Sequence, residues 1–337
     1  MRRGSAWRTG ALVGVAIVLA LAAWPRAVIS RPSVDVVATG VPRPLQLVID
    51  GRTLVILSPG ARGDTAGEIY RVDLAGELPV DLSRQPRVRI PFPDSRMATL
   101  GSLALHPQTR ELFLGEENGT RVYRLSDEQR LVLYAVGLHR LAGGSTLAFD
   151  GLGRLVIVDY VDPMLSESDE RAPPGLEQFR DEDYRGPLVF RLTPDPAIPL
   201  PRRLLRLAPL FPRVWGGTLG GGLLPRLISV VPLASGDLVF LTSAGALFRL
   251  TADSTFSEFA RLPSGQYNRT NMVGAPDGSL LVSGGFHVGR VFRVSPDGGV
   301  TIIASNLADP EGVALDARGD LYVAESSFHR IVRLRPL

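Results

Sequence analysis

The residues able to do chemistry are few. The chain holds 4 histidines and no cysteine, and every one of its 37 basic residues is arginine. Disulfides and thiolate metal sites are therefore excluded, as is lysine Schiff-base chemistry. Oxygen and imidazole groups remain. Glu116, Asp159 and Glu325 each close an apolar run. Together they would offer an acidic arc of oxygen ligands for a divalent cation such as calcium. The competing use of such a residue is to hydrogen-bond the turn that follows it. Glu311 opens an apolar run, and Thr270 with Asn271, and Ser145 with Thr146, stand at the equivalent point of other runs. His139, His287 and His329 fall in loops, where an imidazole titrating near neutrality suits proton transfer. His287 follows Phe286 and His329 follows Phe328, so each sets a polar tip beside an aromatic ring, as a small polar ligand requires. His106 precedes Pro107 and reads as a turn residue. The chain has neither Gly-x-Ser-x-Gly nor His-Glu-x-x-His. Gly216-Gly217 and Gly220-Gly221-Gly222 lack the Lys-Ser/Thr ending of a phosphate loop.

The elements that must position these residues repeat. An aliphatic, aromatic-or-Val, Arg, aliphatic quartet occurs six times, with its arginine at 71, 124, 191, 249, 293 and 333. A second apolar run precedes each, starting at Leu54, Leu112, Leu155, Leu238, Leu280 and Leu321, and a third precedes that, as in Ser102–Leu105 and Gly312–Leu315. Three short strands with tight turns, repeated six times, predict an all-β six-bladed β-propeller over residues 33–337. Outer fourth strands fit Leu131–Val136 and Val300–Ala304. The last blade runs out of sequence before its fourth strand, and Val34–Ala38, ahead of blade one, has strand alternation and no other partner. It is expected to complete blade six and close the ring, which removes the open sheet edges. An arginine present in every blade marks no single site; its stem covers apolar neighbours.

Connectivity sorts the loops. The entry to each inner strand and the turn from second to third strand share one rim, the top. Both long departures from the repeat lie there, residues 162–187 and 209–226. Loops of that length act as lids or are solvated.

Residues Pro310 to Glu325, with Arg330-Ile331 beyond, resemble an NHL-type repeat. The superfamily they point to includes gluconolactonase-like hydrolases, strictosidine-synthase-like proteins and soluble quinone-dependent sugar dehydrogenases. Resemblance to the lactonases implies an acidic catalytic residue at Glu311. Their asparagine metal ligands would fall at Thr270, Ser145 and Gly101, which lack the amide oxygen. His139, ahead of Gly143-Gly144-Ser145-Thr146, loosely resembles the His-then-Gly entry of the dehydrogenases, which implies a general base. Two readings follow. One is a module whose top face binds a small polar or carbohydrate-like ligand, or a protein partner, through Glu311, His139, His287, Asn271, Thr270, Ser145 and His329. The other is an enzyme of lactonase or dehydrogenase type.

The N-terminus carries Arg2, Arg3 and Arg8 ahead of an apolar run from Ala11 to Trp24. This predicts a signal peptide or signal anchor over residues 1–32, with the body exported. The body then faces the periplasm or the outside, tethered to the cell membrane, or is secreted if the signal is cleaved. The net charge is +3; without those three arginines the remainder is neutral, which gives no footprint for nucleic acid.

Overall fold

A computed structural model describes residues 33–335, except 63, 65, 92–98, 118, 127–128, 139–143, 160–187, 194, 196, 205–209, 211–226 and 254. The hydrophobic helix expected at the N-terminus, the whole of blade three's 162–187 loop and most of the 209–226 loop lie outside these residues. Among the described residues no helix is long and apolar enough to cross a membrane.

Six antiparallel sheets form, one per repeat. Their inner strands are Gln46–Asp50, Thr99–Leu105, Leu147–Phe149, Leu227–Pro232, Met272–Gly274 and Pro310–Leu315. Each alternates small or aliphatic residues suited to a pleated, buried surface. The second and third strands follow as expected; in blade one, Thr53–Ser58 pairs Ala66–Asp73 from Thr53↔Asp73 to Ser58↔Glu68. Outer strands Leu131–Val136, Phe256–Arg261 and Val300–Ser305 complete blades two, four and five. The core lies between blades. One apolar cluster joins Leu281 and Val291 of blade five to Val313, Val323 and Val332 of blade six.

The ring closes as the sequence implies. Ser33–Thr39 pairs antiparallel with Arg330–Arg335, from Ser33↔Arg335 to Thr39↔Arg330, and supplies blade six's fourth strand. Val37 and Ala38 are fully buried in it. The described chain begins at Ser33 on the bottom rim, beside the turns at Asp277 and Gly319. Two short additions are absent from the repeat pattern: Val80–Asp81 pairs parallel onto Ser33–Thr39, and Arg202–Arg203 onto Leu131–Val136. Most of the repeated arginines reach carboxylates near the bottom turns, Arg124 to Glu111, Arg191 to Asp150, Arg293 to Asp277 and Arg333 to Asp320. Arg249 instead lies over the Phe259 ring.

Below the mouth an axial channel of about 390 Å³ is walled by inner strands, with Leu47, Leu103, Val230 and Val313 among its lining.

Candidate functional site

The site is built where the inner strands begin. Polar groups there face the axis and have no ladder partner, so they must be satisfied across it. Gln46 Nε2 of blade one donates to the Gly101 carbonyl of blade two at 3.1 Å. Ser102 Oγ of blade two donates to the Gly144 carbonyl at 2.9 Å. That approach needs Gly144: its φ is +151°, and a Cβ there would lie 2.3 Å from the Ile228 carbonyl oxygen. Ser145 Oγ of blade three donates to Asn271 Oδ1 of blade five. Asn271 Nδ2 in turn donates to the Glu311 carbonyl of blade six at 3.0 Å and that of Arg269 at 3.3 Å, with Leu45 O of blade one at 3.5 Å. Asn271 and Ser145 are thus brought together as expected, but as a tie across the axis. Both polar atoms of the Asn271 amide are engaged by protein.

Glu311 falls in a β-bulge, because the ladder with the second strand of blade six slips between Pro310 and Val313. A bulge re-aims side chains. Glu311 is 2% exposed, and its Oε1 accepts from Ser326 Oγ at 2.7 Å. Burial raises its pKa to about 7, opposed by Arg269 and by the Ser326 hydrogen bond. Five glutamates are buried among the described residues. Glu116 receives Tyr123 Oη and the Thr120 amide; Glu325 receives the Ala308 amide and Arg330 Nε; Glu68 receives Arg87 and Tyr70; Glu117 receives both arms of Arg269. Glu311 is the one whose second oxygen accepts no hydrogen bond from the described residues.

Glu117 and Arg269 were not visible in the repeat. Arg269 Nε and Nη2 bind Glu117 Oε1 and Oε2 at 2.9 and 3.1 Å. Burial works against the Arg269 charge, yet Glu117 outweighs it and holds the guanidinium above its ordinary range. Gly101 permits this pair: a Cβ there would stand 2.5 Å from Glu117 Cβ. The signal available in the sequence was a glycine where other blades place a polar residue. Arg43, between Pro42 and Pro44, also reaches the mouth. It acts electrostatically on Arg269, Glu117 and Glu311, and burial, then Arg269, lower its own pKa.

The remaining expected residues separate. Thr270 is fully buried and donates to the Gly284 carbonyl at 3.3 Å, so its hydroxyl serves its own blade. His329 is exposed, and its Nδ1 accepts the Arg43 amide at 3.0 Å. His287 is exposed, its ring tilted against that of Phe286, and its amide donates to Asp309 Oδ1. His139 lies outside the described residues. His106 Nδ1 accepts the amides of Gln108 and Thr109 and caps its turn. The acidic arc of Glu116, Asp159 and Glu325 does not assemble. All three are buried; Glu116 is held by its own blade, and Glu325 by its own blade and the strand linker at Ala308. Among the described residues no three His, Asp or Glu side chains gather as a metal would require.

Residues 307–334, blade six, match the NHL repeat. The chain is a six-bladed β-propeller whose sixth blade matches that repeat. The chain matches no curated protein in sequence. Solved structures align over nearly all of it. A proposed oxidoreductase (glucose dehydrogenase) from Thermus thermophilus is 20% identical, with 90% of this chain and 99% of that one covered and a TM-score of 0.56. A gluconolactonase from Xanthomonas campestris is 17% identical, with 91% and 90% covered and a TM-score of 0.55. Virginiamycin B lyase from Staphylococcus aureus is 12% identical, with 90% and 86% covered and a TM-score of 0.53. At these identities the likeness is one of fold, and one fold hosts unrelated chemistries.

Proposed function

We propose that this chain is an exported propeller, held at the membrane by its N-terminal segment, that binds a small polar ligand at its top mouth. The observation that carries the reading is Glu311. It is buried at the axis, keeps one oxygen free of described partners, and titrates near 7. The other four buried glutamates have both oxygens engaged by the protein, as structural carboxylates do. Asn271 and Ser145 form the floor beneath it, and His287 and His329 stand on the rim.

One observation favours an enzyme as a second reading. A carboxyl that titrates near the working pH is suited to act as general acid or base, and lactone hydrolysis, the chemistry named for the Xanthomonas neighbour, is the reaction to try first. The test pairs affinity with turnover. Wild type and Glu311→Gln are titrated with a sugar and sugar-lactone panel, and lactone opening is followed by pH-stat. Glu311→Gln should weaken binding at least tenfold without lowering the melting temperature. A variant that melts lower and binds as the wild type does would make Glu311 structural and remove the site.

A further inference from the structure

The charges at the mouth do not balance. Arg269 is matched by Glu117 in a two-armed pair. Asp309 is occupied by the His287 amide and the Ser327 hydroxyl. Arg62 is exposed. Arg43 is left: it is half-buried, and no described carboxylate lies within ion-pair distance of it. It is also held at both ends. Its amide donates to His329 Nδ1 at 3.0 Å and its Nε to the Gly60 carbonyl at 3.0 Å. Its φ of +44° is one that L-residues avoid, so the surrounding contacts hold it there at some expense in free energy. Nε thus serves to aim the side chain. Nη1 and Nη2, the end-on fork that matches a carboxylate, make no hydrogen bond to the described residues.

We propose that the ligand of the top mouth is a small carboxylate, gripped end-on by the Arg43 fork beside the Glu311 carboxyl. This rests on the reading of the mouth as a ligand site and adds its charge. A rigid guanidinium on a partly desolvated rim binds such a group more strongly than a mobile surface arginine would, because little rotamer freedom remains to be lost. The neighbouring Glu311 is compatible with an anion only in its neutral form, and burial gives it that form over part of the neutral range.

The experiment uses matched acid and amide pairs: glucuronate with glucuronamide, and lactate with lactamide. Each is titrated calorimetrically into the full chain in detergent at low salt and pH 6. At least one acid should bind ten times more tightly than its amide or better. Arg43→Gln should bring that ratio close to one while Arg62→Gln leaves it unchanged. Arg43→Lys, which keeps the charge but not the fork, should lose several-fold. A ratio near one in the wild type, or an unchanged ratio in a folded Arg43→Gln, overturns the assignment. If Arg43→Gln does not fold, an Arg43→Lys that binds the acid as the wild type does overturns it instead. Acid and amide bound equally, and both weakened by Glu311→Gln, would leave the site standing and remove only its charge preference. No binding of any of the four would sink both.

Discussion

Replacing Glu311 by Gln should stabilise the propeller at neutral and alkaline pH and leave it unchanged in acid. An ordinary glutamate titrates at 4.5, and burial moves Glu311 to about 7. Below 4.5 the carboxyl is protonated in the folded and unfolded chain alike, and it costs nothing. Between the two values the unfolded chain ionises while the folded one stays neutral, so stability falls as pH rises. Above about 7 the folded form ionises too and the loss is complete. The interval is about 2.5 pH units at about 1.4 kcal/mol each, or roughly 3 kcal/mol. Gln carries no charge to desolvate, and its amide oxygen can still accept from Ser326. For a domain of this size each kcal/mol moves the melting temperature by about 2 °C, so the variant should melt roughly 6 °C higher at pH 8. Circular dichroism melts of both proteins from pH 4 to 9 give the difference curve. A variant that melts lower at pH 8, or a difference that does not grow between pH 5 and 7, would refute the reasoning. It would mean that the ionised carboxylate is held by groups that stabilise it.

Other outcomes follow from the same geometry. Removing residues 1–38 should unfold the domain, because it strips the fourth strand from blade six, whereas removing 1–31 should not; equal thermal stability of the two truncations would show that closure lies elsewhere. Asn271→Ala removes the donor to three carbonyls around the axis and should cost roughly 2–4 kcal/mol in urea unfolding, since each orphaned buried group costs about 1–3 kcal/mol; a loss below about 0.5 kcal/mol would show that the axis is held by other contacts. Glu117→Gln and Arg269→Met should be strongly non-additive, with a coupling above about 1 kcal/mol in a double-mutant cycle, and additivity would dismiss the pair as a surface contact. A reporter active only in the cytoplasm, fused after Leu337, should stay dark; a strong signal would overturn the proposed export.

What repeats was legible in the sequence, and what departs from the repeat was only partly so. The quartet with its arginine located six third strands correctly because alternation along a strand is a short-range property. Closure was legible for the same reason, as Val34–Ala38 had alternation and no neighbour. The parallel additions at Val80–Asp81 and Arg202–Arg203 were not, because two residues carry no periodicity. At the site, connectivity put Glu311, Asn271 and Ser145 on one rim, and the structure links them. It does not reveal from sequence which polar atoms are already satisfied. Thr270 and Asn271 are adjacent and equally buried, yet one hydroxyl turns into its blade and the other side chain spans the axis. Glu116 and Glu117 show the same limit. The first looks like a ligand and is held by Tyr123 and the Thr120 amide. The second, one residue on and on the opposite face of the strand, reaches the mouth, because side chains alternate and Gly101 leaves room beneath it.

That contrast also explains where strain collects. The arginines that repeat lie on third strands, in extended backbone, and most find a carboxylate near the bottom turns. Two arginines of the top mouth, Arg43 and Arg269, have positive φ, as do His287, Asp309 and His329 in neighbouring top loops. A left-handed conformation costs an L-residue about 1 kcal/mol or more, and the charge on a buried Glu311 costs more again. A face whose only task was to cap the inner strands would have little reason to gather these costs, since in five of the six blades the bottom face ends the same strands with tight glycine turns, at 51, 153, 236, 278 and 319, and only blade two places a non-glycine, Arg110, at positive φ there. Among the described residues, with Arg110 and Gln129 of blade two the exceptions on the bottom face, the expense is concentrated on the rim that holds the buried Glu311 carboxyl and an unmatched guanidinium. There it fixes the direction of each group before anything binds, and that prior order is what lets a small ligand be recognised by few contacts.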